Sequence, residues 1–228
     1  MMFATARGGV RIGYDILGSG RPIVMLHDFG ESSRFWCDCG YVKSCLTEGR
    51  QAVLVDLRGH GDSSEPSDAS GCDPINCSWD VIAVLDHAGI ARADILGYGF
   101  GGRVALCTAA WASDRVHAVA AGGAHPFAQR TEVGSGDTLD WPDISEAVTR
   151  SGVPVLLFVG EKDPHCPLCL SYGERSGATV IILKQRDYAS TATAPSEFLP
   201  QVLRFFEAPT NCSWSEHLPP SRWSGSWP

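Results

Sequence analysis

Short apolar, β-branched runs recur along the chain, separated by stretches whose apolar positions fall three or four residues apart. PIVMLH (22–27), AVLVD (52–56), ADILG (93–97), VHAVAAGG (116–123), VPVLLFVG (153–160) and ATVIIL (178–183) are near-continuous. Such runs predict strands buried on both faces of a parallel sheet. RIGYDILGSG (11–20) predicts a further strand closed by a Gly-Ser-Gly turn. Between the runs, SWDVIAVLDHAGI (78–90) predicts a helix with Ser78 as N-cap and Val81, Val84, Leu85 and Ala88 on one face. GGRVALCTAAWA (101–112) and PSEFLPQVLRFFE (195–207) predict two more, although Pro200 counts against the last being continuous. The alternation implies an α/β fold: a doubly wound, mostly parallel sheet with helices on both faces. Ligands of such sheets bind at the carboxyl ends of the strands.

Length and composition narrow this picture. The 228 residues suit one α/β domain, and 44% hydrophobic against 19% charged residues allows a packed core. Residues 1–207 are expected to form that domain. Residues 208–228, APTNCSWSEHLPPSRWSGSWP, carry three of the seven tryptophans among Pro and Ser and read as an irregular tail. A formal net charge of −8 argues against a nucleic-acid partner, which needs clustered Lys and Arg. MMFATARGGV has no apolar core of a signal peptide, and no run reaches the length of a membrane span, so a cytoplasmic location is expected. The nine cysteines show no disulfide framework and read as thiols. HCPLC (165–169) contains one C-x-x-C with no second to complete a zinc site, so no metal or cofactor is expected. Cys107 reads as a core residue. The Asn-Cys-Ser triplets at Asn76 and Asn211 read as chance matches.

Four strings, in order, resemble the α/β-hydrolase family, and among its members the small, lid-poor esterases. GRPIVMLHDFG resembles its oxyanion strand and loop, and VLVDLRGHGDS the strand and turn that follow. ILGYGFGG resembles the nucleophile elbow, and PVLLFVGEKDP the strand and loop of the catalytic acid. The resemblance covers about residues 8–207. It implies Gly99 at the nucleophile position, Asp163 as the acid and Tyr188 in the histidine slot. It also implies an oxyanion hole made by the N–H groups of Phe29 and Phe100. The short 124–152 connection implies a minimal lid.

The chain departs from that pattern in three places. Gly99 has no side chain with which to attack. Tyr188 replaces the base, and a phenol of ordinary pKa near 10 is a poor one. Asp28 stands where a glycine is usual, and its carboxylate opposes an oxyanion. Losing nucleophile or base leaves a residual of roughly 10³–10⁴ over water. Serine-type ester hydrolysis is therefore not expected, and the scaffold is expected to keep a pocket for a small apolar or ester-like ligand. Phe29, Phe100 and Phe127 fall in segments expected at its mouth, with Asp28, Asp163 and Tyr188 as polar groups. Two alternatives stay open: a repurposed enzyme of lyase or cyclase type, and a hydrolase of small esters or lactones with a non-standard base. His125 and His165 are the candidates for that base. His27 is expected to organise the oxyanion loop and His60 to be structural.

Overall fold

The computed structural model describes residues 1–65, 72–132 and 138–208. Eight strands form one sheet: β1 (Met2–Thr5), β2 (Arg11–Leu17), β3 (Pro22–Leu26), β4 (Gln51–Val55), β5 (Ala93–Tyr98), β6 (Val116–Gly122), β9 (Val155–Gly160) and β10 (Thr179–Leu183). Their spatial order is β1-β2-β4-β3-β5-β6-β9-β10. Pairings from β4 to β10 are parallel, and β1–β2 and β2–β4 are antiparallel. All seven anticipated runs are strands of this sheet. β1 is additional: two of its four residues are large exposed hydrophobics, Met2 and Phe3, so it carries no inward run to read.

Strand alternation divides the core in two. Val24, Leu26, Val53 and Val55 face one layer, covered by α3 (Pro74–His87), α4 (Phe100–Trp111) and α6 (Cys166–Ser176). Ile23, Met25, Ala52 and Leu54 face the other, covered by α1 (Arg34–Asp38), α2 (Tyr41–Thr47) and α8 (Pro195–Glu207). This is the doubly wound architecture. Helix α8 runs unbroken through Pro200. An interior proline costs about 3 kcal/mol. Six buried side chains, among them Phe198, Val202 and Phe206, contribute about 1.5–3 kcal/mol each and outweigh it.

Helix α3 corrects the expected cap. It begins one turn earlier than predicted, with Pro74 in its first turn. Its cap is Asp73, whose carboxylate accepts from the N–H of Ile75 (2.7 Å) and Asn76 (3.2 Å). Ser78 lies inside the helix and donates back to the Ile75 carbonyl at 2.6 Å. An Asp-Pro start satisfies two terminal N–H groups and removes a third, which Ser78 could not match.

The 124–152 connection holds a separate antiparallel hairpin, β7 (Gln129–Glu132) with β8 (Thr138–Trp141), and then the short helix α5 (Ser145–Arg150). Among the described residues it contains no all-helical insertion. The expected tail, apart from Ala208, lies outside the described residues, as does Asn211. Asn76 sits in the first turn of α3 with its amide on Asp73.

Candidate functional site

The loops at the carboxyl ends of β3, β5, β6 and β9 converge, together with α7 (Tyr188–Ala192), which follows β10. Gly99 forms the turn between β5 and α4 at φ 51°, ψ −116°, a conformation that burdens any L side chain. Its N–H donates to the Gly122 carbonyl at 2.8 Å. A Cβ on Gly97 would run into the backbone of Gly101, so the turn closes only with glycine there.

The loop after β3 is set by His27. Its Nε2 lies 3.0 Å from the Leu57 N–H and must accept from it. That leaves Nδ1 protonated, donating to the Asp28 carbonyl at 2.7 Å. Burial pushes the imidazole down to about 4, so the neutral ring persists at neutral pH. His60, whose Nδ1 lies 3.0 Å from the Arg58 carbonyl, stands beside it with its ring tilted and 5.2 Å away.

Held this way, Asp28 turns inward. Its Oδ1 accepts from the Phe29 N–H at 2.7 Å and the Phe100 N–H at 2.8 Å. Its Oδ2 accepts from the Tyr188 hydroxyl at 2.5 Å. The two N–H groups expected to form an oxyanion hole thus meet at one point, and the Asp28 carboxylate occupies that point. A Cβ built on Gly99 would fall inside the contact radii of Tyr188 Oη and Asp28 Oδ1. The volume a side chain at position 99 would need is therefore filled.

Tyr188 is brought there by its helix start. Asp187 caps α7 in a reciprocal box with Ser190. The Tyr98 hydroxyl donates to the Tyr188 carbonyl at 2.5 Å, and the two rings stand 5.1 Å apart. Burial and the Asp28 carboxylate push the Tyr188 hydroxyl far above its ordinary range, which makes it a donor rather than a base.

Asp163 engages a different partner. Its Oδ1 accepts from the His165 N–H at 2.8 Å and lies 3.3 Å from His165 Nδ1. Its Oδ2 is buried without a hydrogen bond. The His165 ring stands 5.3 Å from that of His125 and 6.0 Å from that of Tyr188. His125 is 2% exposed, its Nδ1 has no hydrogen-bond partner, and burial with His165 close by pushes it down to about 4.

A pocket of about 90 Å³ lies between these groups. Asp28, Phe29, Gly99, Phe100, His165 and Tyr188 contribute to its walls. A pocket is thus present where one was expected, at a volume far below the 300–1,000 Å³ of ordinary ligand sites. Asp28 and Tyr188 fill the missing volume. The segment of Phe127 reaches the pocket through His125 and Gln129, while the Phe127 ring itself stands 6.0 Å from that of His125 and 6.1 Å from that of Tyr172 on α6, under the Arg175 guanidinium.

The sequence reading missed Arg103 and Trp141, both in the pocket wall. Arg103 is 2% exposed and donates to the carbonyls of His125 (2.8 Å), Phe127 (3.0 Å) and Pro142. A single arginine inside the apolar stretch GGRVALCTAAW was the available signal. The C-x-x-C cysteines sit on α6; Cys169 contacts the Ala124 carbonyl, and burial pushes its thiol up to about 12. Cys107 is buried in the core and pushed up to about 12 for the same reason. No group of three or more His, Cys, Asp or Glu among the described residues is arranged to hold a metal ion. Nor is any described helix long and apolar enough to cross a membrane.

The alpha/beta hydrolase fold profile matches residues 21–133, which carry the Asp28 loop, the Gly99 turn and the first hairpin strand. The chain belongs to the α/β-hydrolase fold family. An epoxide hydrolase from Caballeronia sordidicola is 32% identical over 127 residues, 56% of this chain and 38% of that enzyme. The chain spans between 25% and 38% of the length of three curated relatives it matches. Among solved structures, a carboxylesterase from Nitrososphaera gargenis superposes with a TM-score of 0.78 at 16% identity, covering 90% of this chain and 97% of that one. The bottromycin epimerase BotH, in complex with bottromycin A2, superposes with a TM-score of 0.73 at 22% identity, covering 90% and 98%. At these identities the likeness is one of fold.

Proposed function

We propose that this α/β-hydrolase-fold protein does not hydrolyse esters by a serine mechanism, and that its pocket receives a small apolar or ester-like molecule without forming a serine ester. The observation that carries this reading is the Asp28 carboxylate on the N–H groups of Phe29 and Phe100. A substrate carbonyl has no free donors there, and Gly99 offers no atom to attack it. Tyr188, held protonated, takes no proton from a nucleophile. Nucleic acid is not a fitting partner for a chain of net charge −8.

The test is labelling with a fluorophosphonate probe beside turnover of small esters. Wild-type protein is expected to stay unlabelled and inert. The double variant Gly99→Ser, Tyr188→His is expected to stay inert as well, because Asp28 still fills the hole. Only addition of Asp28→Gly should produce labelling. Stoichiometric labelling of the wild type in the pocket removes this reading.

One observation favours a second reading, a proton-transfer enzyme. The carboxylate at the family's acid position faces His165 Nδ1 at 3.3 Å, which leaves the other ring nitrogen free to take a proton. That the same fold carries a bottromycin epimerase supports non-hydrolytic work on this scaffold. Exchange of α-protons of small ketones and esters in D₂O, followed by NMR, decides it. Wild type exchanging no faster than His165→Gln excludes it.

A further inference from the structure

The Asp28 carboxylate is seated as a bound ligand would be. Two backbone N–H groups reach one oxygen at 2.7 and 2.8 Å, and a tyrosine hydroxyl reaches the other at 2.5 Å. The Phe100 N–H also opens α4, a twelve-residue helix whose N-terminus favours negative charge. Three donors on two oxygens match a carboxylate. An ester carbonyl brings no charge and would leave the tyrosine donor unused. Tyr188 is therefore what turns a site for a developing oxyanion into one for a stable anion.

We propose that Phe29 N–H, Phe100 N–H and Tyr188 Oη form a carboxylate receptor which the chain keeps closed with its own Asp28, and that the class of external ligand it takes is a small monocarboxylate. The occupant is tethered one residue from the Phe29 donor. An external acid must therefore compete with an effective concentration on the order of millimolar or above. Wild-type protein is self-occupied, and removing the Asp28 carboxylate vacates space beside the pocket for formate or acetate. Charge-assisted bonds of this kind are the strong ones, so affinity should follow the anion and not the shape. This rests on the reading of Asp28 as the occupant of the hole. It is separable from the non-hydrolytic reading, which labelling of the wild type decides.

The experiment is thermal unfolding of wild type, Asp28→Ala and Asp28→Asn in sodium acetate, with acetamide and sodium chloride as matched controls. Acetate should raise the Tm of Asp28→Ala with a saturating dependence, since a ligand of the native state alone adds RT ln(1 + [L]/Kd). Acetamide should not, and wild type should respond to acetate as it does to chloride. Adding Tyr188→Phe to Asp28→Ala should weaken acetate about tenfold or more, as loss of one bond to a charged group does. Should Asp28→Ala unfold in chloride, its refolding in acetate but not in acetamide supports the proposal equally. Asp28→Asn keeps the shape with a weaker, neutral occupant, and acetate should displace it at lower concentration than any effect on wild type. If neither variant separates acetate from chloride, or wild type responds as strongly as Asp28→Ala, the proposal is overturned.

Discussion

The two walls of the pocket differ in how their polar groups are satisfied. On the wall of Asp28 and Tyr188, both carboxylate oxygens, two backbone donors and the hydroxyl are all paired. On the wall of Asp163, His125 and His165, Asp163 Oδ2 and His125 Nδ1 are buried with no hydrogen-bond partner, and His165 Nδ1 lies 3.3 Å from Asp163 Oδ1 without closing a hydrogen bond. A buried polar atom left unpaired costs about 1–3 kcal/mol. On the paired wall the Asp28 carboxylate fills the space beside Gly99. The other wall holds Asp163 and the two histidines with fewer of their polar atoms bonded.

The largest effect expected of this contrast is a stability difference between the two carboxylates. Asp28→Ala strips three donors of their acceptor and should cost about 3 kcal/mol or more, roughly 6–12 °C in Tm for a chain of this length. Asp163→Asn removes a buried charge whose outer oxygen is unpaired and should shift stability by about 1 kcal/mol or less, in either direction. Equal losses, read by thermal and urea unfolding, would break the comparison.

Next comes acid sensitivity. His27 and His125 are both pushed down to about 4 in the folded chain, chiefly by burial. Below the unfolded value near 6.5 the unfolded chain gains protons that the native chain refuses, so stability is full above that pH. It falls as pH drops through the window from about 6.5 to 4 and levels off below. The loss reaches at most about 3 kcal/mol per histidine. His125→Gln should flatten its share of that slope while leaving the Asp28 wall intact, which an unchanged Asp28→Ala penalty in that background would verify.

Tyr188→Phe should cost less than Asp28→Ala. Asp28 Oδ2 loses its tyrosine donor, but Oδ1 keeps two, so about 1–2 kcal/mol is expected. A cost as large as that of Asp28→Ala would mean that the hydroxyl, and not the backbone pair, holds the carboxylate.

Much of the fold was legible because continuous apolar runs and strand-to-helix alternation report burial directly. Helices α1 and α2 were not, because neither has a side-chain cap and both are short. The neighbourhood of Gly99 and Tyr188 followed from motif order. The direction of Asp28 did not, since it depends on the β3 loop, the α4 start and α7 meeting at one point. The proximity of Asp163 and His165 was closer to hand, a two-residue spacing that made His165 a candidate base from sequence.

Arg103 has one more consequence. It grips the chain on both sides of the β7–β8 hairpin, at His125 and Phe127 before it and at Pro142 after it. Its own anchor is α4, the helix that begins at the Gly99 turn. Both roots of the hairpin are thereby tied to one side chain, and through it to α4. Amide exchange across the hairpin and across the first turns of α4 should accordingly rise and fall as one event.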